Sequence, residues 1–329
     1  SGKYYWVLAL VFPFQDGFLS VRLKPTTVYF EKAQELYKQM LLLERGLNLD
    51  KASEKAGQFL MQELGKLGFA DYQSFMITAL AEEIKNRQKL LPTAKNKIDQ
   101  KTNDLISNLL STAGSLETLQ QTSARLETKA NTLLEEFREL QFLCMNLTIS
   151  AAKYEKRGAA ISVTADTFDR WGREIKKIID EFLSTLSLLK KSVHDTRIIL
   201  NSAFLQTEMA LIFSRSEQRS EEYETSLTQM ANRNIEHTKQ SITHLNDAFF
   251  AYFQSMQKLS ESVLAMKIVR LNSRIETVYL PDNGSMIEST VQGVTTFIQA
   301  LEANTTAISE ETQIAKQTIE KTLESSRYL

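Results

Sequence analysis

Apolar residues recur at alternating steps of three and four through most of this chain. After Pro92, Leu105, Leu109, Leu116, Leu119, Leu126, Ala130, Leu133, Phe137, Leu140 and Leu147 share one seam. After Gly158 the pattern resumes with Ile161, Ala165, Phe168, Ile175, Ile179, Phe182, Leu186, Leu189, Val193 and Leu200. A third run carries Ala231, Ile235, Ile242, Leu245, Phe249, Tyr252, Met256, Leu259, Val263 and Met266, and a fourth Ile287, Val291, Val294, Ile298, Leu301 and Ile308. A 3.5-residue repeat held over many turns predicts supercoiled helices with buried a and d positions. Helices of about 50 residues would each run roughly 75 Å. No proline interrupts any of the four runs.

Turn signals separate the runs. Tyr154 to Gly158 is the first and the polar stretch Ser214 to Ser220 the second. Pro281-Asp282-Asn283-Gly284 is the third, where Pro cannot continue a helix and Asn-Gly favours positive φ. Short turns predict antiparallel neighbours. The expected fold is mainly α: a long antiparallel four-helix coiled-coil bundle, preceded by a small β-hairpin and helical segment.

The period is different before Pro92. Tyr4 to Val11 is aromatic and β-branched, and Pro13 is expected to end that strand. Gln15-Asp16-Gly17 reads as a turn, and Phe18 to Leu23 alternates like a second strand, stopped by Pro25. Two strands are marginal alone, so this hairpin needs a partner surface. Residues 27–45 and 50–90 read as helices punctuated by Gly46, Gly65 and Gly68, and Leu91-Pro92 closes the block. Asp71 is placed to cap a helix beginning near Tyr72. Four regions follow: a hairpin at 1–28, a helical linker at 29–92, and two helical hairpins at 93–215 and 216–329.

Composition narrows the function classes. The 329 residues are 43% hydrophobic and 24% charged with only 11 Gly and 4 Pro, as long-helix proteins are. A net charge of −1 without a basic block argues against a nucleic-acid surface. One cysteine, Cys144, cannot form an internal disulfide, which fits a reducing, cytoplasmic setting. No segment reaches the roughly 18 apolar residues of a membrane span. Asn146-Leu147-Thr148 and Asn304-Thr305-Thr306 match glycosylation acceptors but lie inside helical patterns. His237 and His244 stand about 10.5 Å apart by helix rise and cannot chelate one ion, so no metal is expected. No phosphate loop, nucleophile elbow or paired catalytic carboxylate appears, so no enzymatic activity is expected.

The stretch from Phe142 to Ile175 reads FLCMNLTISAAKYEKRGAAISVTADTFDRWGREI. It resembles the signalling tip of bacterial methyl-accepting chemotaxis receptors. Leu143, Asn146, Ile149, Ala151, Ala152, Gly158, Val163, Ala165 and Asp166 fall on identical family residues, and Lys153 stands where the family has Arg. Asn272, Ile275, Glu276 and Gly284 fall on the same columns in the second hairpin, and in both hairpins Gly stands twelve positions after Asn. The match suggests two receptor-like hairpins in one chain, a monomeric pseudo-dimer as alternative to the family's homodimer. At the N-terminus, YYWVLALVFPF, GFLSVRLKPT and a helix with Leu36-Tyr37 resemble the last third of an aerotaxis-type PAS domain. The segments that would enclose a flavin or haem are absent, so no cofactor is expected unless a complete PAS domain precedes this sequence.

The resemblance implies function. The tip residues Asn146, Ile149, Lys153, Glu155, Lys156, Arg157 and Gly158, with Asn272, Glu276 and Gly284, would meet a CheA-type histidine kinase and a CheW-type adaptor, beside receptor-like proteins in arrays. The charged tip reads equally well as a solvated turn. Asn146 is expected chiefly to set register in the seam, where a polar residue trades stability for specificity. Gln120-Gln121 and Glu221-Glu222 partly fit the family's methylation pattern; ordinary surface groups are the default reading. The leading expectation is a signal transducer that passes a sensory input to the kinase complex. The alternatives are a receptor-derived scaffold without kinase control and, further off, a PAS cofactor-based redox or gas sensor.

Overall fold

The computed structural model describes residues 5–14, 17–46, 48–69, 71–90, 100–152, 159–214, 221–278 and 285–329. At residues 14, 90 and 223, and at most positions between 137 and 171 and between 266 and 294, the description covers the backbone alone. Two strands open the chain: β1 (Leu8–Phe14) and β2 (Gly17–Leu23). Three shorter helices follow, α1 (Val28–Glu44), α2 (Leu49–Lys66) and α3 (Tyr72–Leu90). Four long helices complete it: α4 (Gln100–Ala152), α5 (Ala159–Ser214), α6 (Glu221–Val278) and α7 (Ser285–Ser326). The chain is mainly helical, as its periodicity predicts.

Packing groups these elements into two compact units. One holds Ser1–Ala113, His194–Lys239 and Tyr328–Leu329; the other holds Gly114–Val193 and Gln240–Arg327.

The second unit is a four-helix bundle, and its cross-helix contacts give the order of the helices. Lys190 of α5 pairs with Glu127 of α4. Lys258 of α6 pairs with Glu181 of α5 at 2.8 Å. Tyr252 of α6 hydrogen-bonds Thr312 of α7 at 2.7 Å. Arg125 of α4 grips both carboxylate oxygens of Glu311 of α7 at 3.1 and 3.0 Å. Asn304 of α7 donates to Glu136 of α4 at 2.6 Å. Each helix therefore neighbours the next in sequence, and the last closes on the first. The α4–α7 pairs and the α5–α6 pairs, Glu181–Lys258 and Thr185–Ser255, run in opposite senses, so these neighbours are antiparallel.

The predicted seam is the core. Leu116, Leu119, Leu126, Ala130, Leu133, Ile175, Ile179, Phe182, Leu186, Leu189, Val193, Ile242, Leu245, Tyr252, Met256, Leu259, Val263, Ile298, Leu301 and Ile308 are all buried. At the centre the Phe182 and Tyr252 rings lie 5.2 Å apart, with Phe249 6.0 Å from Tyr252. Burial raises the Tyr252 phenol above its ordinary pKa and keeps it neutral. Thr312 gives its own hydroxyl proton to the Ile308 carbonyl at 2.8 Å, so Tyr252 is the donor between them.

Polar residues fill most of the slots that the apolar seam skips. At five of its seven-position jumps the intervening slot holds a buried Thr or Ser: Ser123 and Thr305 in this unit, and Thr112, Thr196 and Thr238 along the same helices in the first unit; Gly172 fills another. Thr112, Thr238 and Thr305 donate to the carbonyl four residues back, at 2.8, 2.7 and 2.7 Å. Their hydroxyls are thus satisfied within their own helix, and their methyl groups are free to pack. This removes most of the cost of burying a polar group.

In the first unit, β1 and β2 pair antiparallel with Leu8 opposite Leu23, Leu10 opposite Val21 and Phe12 opposite Leu19. Leu8, Val21 and Leu23 are buried, so one face of the hairpin has found its partner surface. Pro13 does not end the strand; it pairs opposite Phe18 inside it. A two-stranded sheet leaves alternate N–H groups pointing away from the partner, and a proline there forfeits no ladder bond.

α1 to α3 enclose a second small core. Leu36, Leu64 and Phe75 are its centre, with Tyr29, Phe59, Phe69 and Met76 around them. Phe69 and Phe75 meet edge to face at 5.3 Å, and Tyr29 meets both. Asp71 caps α3 as expected, accepting from the Ser74 N–H at 2.7 Å, and that bond lowers its carboxyl pKa. Gly65 does not punctuate the block; it lies inside α2. The helix ends at Gly68, where φ is +84°, with Phe69 N–H on the Leu64 carbonyl and Gly68 N–H on that of Gly65.

The start of α1 is held from a distance. Glu83 of α3 accepts from the Thr26 and Thr27 N–H groups, both at 2.7 Å, and from the Thr26 hydroxyl at 2.8 Å. Its residue is only 4% exposed. Burial alone would raise its pKa, but hydrogen bonds from Thr27 and Thr26 outweigh this and leave it lowered. Within the same unit α3 is tied to α5 by Arg87, which donates to Glu208 at 2.9 Å.

Candidate functional site

The segment that carries the receptor resemblance spans the end of α4 and the start of α5. Lys153, Glu155, Lys156, Arg157 and Gly158 lie outside the described residues, as does Gly284 of the second hairpin. Asn272 and Glu276 fall within α6, but their side chains lie outside the description. The last turns of α4 can be described.

Asn146 is exposed there, not buried in the seam. The expectation that it sets register is therefore corrected. The seam runs through Leu133, Phe137, Leu140 and Leu147 in steps of four, three and seven, and Asn146 falls one position short of it. One hundred degrees of helical rotation puts it on the outer face.

Asn146 shares that outer face with apolar neighbours. Phe142 is 68% exposed, Met145 60% and Ile149 53%. Spacings of three, one and three align the four residues into a stripe along two turns. Large side chains in water at a helix surface cost free energy that burial against a partner would recover. The stripe includes two predicted site residues, Asn146 and Ile149. It adds two that were missed, Phe142 and Met145. The signal was present in the sequence: this second apolar row is offset from the seam and lies outside the a and d positions.

The candidate methylation residues belong to different units. Gln120 is half-buried and Gln121 exposed on α4, in the second unit. They adjoin buried Thr122 and Ser123, and Thr122 accepts from Arg125 at 3.0 Å. Glu221 and Glu222 are exposed in the first turn of α6, in the first unit. Carboxylates at a helix N-terminus are favoured by the helix dipole, a sufficient structural reason for their presence. Asn304, in the second glycosylation-like triplet, is engaged with Glu136 between α7 and α4.

His237 and His244 are exposed on α6. Among the described residues no cluster of His, Cys, Asp or Glu could hold a metal ion, and no helix is long and apolar enough to cross a membrane. No family model, curated protein or solved structure matches this chain.

Proposed function

We propose that this chain is a chemotaxis-receptor-like signal transducer. It couples an input at its N-terminal module to a cytoplasmic complex of a CheA-type kinase and a CheW-type adaptor through the α4–α5 tip. The observation that carries this reading is the exposed Phe142–Met145–Asn146–Ile149 stripe. It lies in the segment that resembles the family's signalling tip, and it offers an apolar face with one amide for partner selection. The four-helix bundle formed within one chain supports the pseudo-dimer reading, because the family assembles such a bundle from two chains. A switch needs only two helix packings separated by a few kcal/mol.

A scaffold without kinase control is the second reading. It is favoured by Ser150, which stands where the family has Glu, and by Lys153, which lacks the planar fork of Arg. Co-sedimentation with purified kinase and adaptor, with autophosphorylation measured in the same tubes, separates the two. Binding with a changed kinase rate supports the transducer; binding without a rate change supports the scaffold. The exposed substitution Ile149→Glu should abolish binding while leaving the circular dichroism spectrum intact. Wild-type chain that neither pellets nor alters the rate would end the kinase reading.

A further inference from the structure

The junction of the hairpin with α1 and α3 encloses a cavity of about 110 Å³. Trp6, Phe30, Tyr37, Tyr72 and Phe75 line it, and Glu83 stands in its wall. The Trp6 indole meets Phe30 at 5.9 Å and 67°, and Tyr37 at 5.6 Å and 76°. Trp6 thus crosses both of the other rings steeply instead of stacking on them. Two phenol oxygens, those of Tyr37 and Tyr72, lie 3.5 Å apart, and both residues are partly exposed.

The chemistry of these walls selects a charge type. Aromatic faces carry negative quadrupole potential and attract cations. Glu83 adds a carboxylate, and among the described lining residues there is no Lys or Arg. The carboxylate disfavours an anion, and a neutral apolar guest would leave the carboxylate's field unused. Volume selects a size. Drug-sized ligands occupy roughly 300 to 1,000 Å³, so this space suits a head group and excludes a flavin or haem.

We propose that the cavity is an aromatic cage for a small methylated ammonium group, with Trp6, Phe30 and Tyr37 as its walls and Glu83 as its countercharge. The carboxylate is suited to this. It already accepts from Thr26 and Thr27 and is held ionised by those bonds, so it presents negative charge without drawing a proton from the guest. The site lies within one compact unit and stands whether or not the α4–α5 tip engages a kinase. Occupancy would press on Trp6, Phe30 and Tyr37, linking the hairpin to α1, and so gives the N-terminal module a defined chemical input.

The test is a titration of the full chain with choline, using a Trp171→Phe background so that Trp6 is the remaining indole. Matched sodium chloride controls for ionic strength. The expected result is a saturable change in Trp6 emission, with a dissociation constant on the order of 1 mM. Dimethylbutanol, the neutral carbon isostere of choline, should bind about tenfold more weakly. Tyr37→Leu, at a half-exposed wall position with little demand on folding, should weaken choline by a similar factor, and Glu83→Gln should do the same where it folds. Equal binding of choline and its isostere would reduce the cavity to an apolar gap. No saturation with choline, or wild-type affinity in Tyr37→Leu, would overturn the proposal.

Discussion

The bundle of the second unit and the N-terminal module of the first are stabilised in different ways. The bundle repeats one device: a layer of a and d side chains, with Ser123 and Thr305 buried in slots that the apolar row skips. Its ion pairs lie on the outside and join neighbouring helices one by one. The N-terminal module repeats nothing. Its core is a set of edge-to-face rings, and the start of α1 depends on one carboxylate 56 and 57 residues further along the chain. Repetition spreads stability over many equivalent contacts, whereas a singular module concentrates it. Damage should therefore be graded by packing volume in the bundle and by polar geometry in the module.

Tyr252→Ala should have the largest effect. It empties the fully buried centre of the bundle and removes the ring against Phe182 and Phe249. A loss of about 3 to 5 kcal/mol is expected in urea denaturation followed by circular dichroism. Tyr252→Phe keeps the volume and should cost about 1 kcal/mol, because Thr312 remains bonded to the Ile308 carbonyl. If the two variants lose the same amount, the hydroxyl and not the packing rules this layer, and the contrast with the module fails.

Glu83→Ala comes next. It strips the acceptor from two backbone donors at the head of α1, and a loss of about 2 kcal/mol is expected. The wild-type pH profile sharpens the point. The folded pKa of Glu83 lies below its ordinary value, so its contribution is complete above that value. It disappears as pH falls through the lowered pKa. In the Trp171→Phe background Trp6 emission should therefore report acid weakening of the module, and adding Glu83→Ala should flatten that part of the profile. An unchanged profile in the variant would assign the acid sensitivity to another group.

These differences also decide what could be read from the sequence. The seam was legible because a 3.5-residue period is a property of consecutive residues; the described apolar positions from Leu109 to Ile308 are buried as the period requires. Asp71 was legible because a cap acts three residues away. The Glu83 cap was not, since nothing local links Glu83 to Thr26 and Thr27. Pro13 was misplaced because proline forbids a central strand but not an edge. Asn146 was misplaced because its place in the family pattern was taken as a place in the core. The apolar stripe through Phe142, Met145 and Ile149 went unseen because the seam absorbed the search for apolar residues, although a second row at helical spacing was there to count.

Thr305→Val tests the filled slots. Thr305 is buried, and its hydroxyl donates to the Leu301 carbonyl, which α7 also serves through its own backbone. Valine has the same shape and no hydroxyl to bury. A gain of about 0.5 to 1 kcal/mol is expected in the same denaturation assay. A loss would mean that the hydroxyl makes a cross-helix contribution, and that these positions specify the bundle's packing.

The smallest effect should come from the Lys258–Glu181 pair between α6 and α5. Both side chains are about half exposed, at 55% and 49%, so water screens their attraction and ordering two long side chains opposes it. A double-mutant cycle with Lys258→Met and Glu181→Gln should give a coupling of about 0.2 to 0.5 kcal/mol, which high salt removes. The value matters because α5 and α6 also meet through Phe182 and Tyr252 and through the Thr185–Ser255 hydrogen bond at 2.8 Å. If the cycle gives more than about 1 kcal/mol, the surface pair selects which helices become neighbours, and charge joins packing as a determinant of the bundle's order. If it gives the small value, the order of helices is written in the seam, and the surface of the bundle is left open to evolve partners.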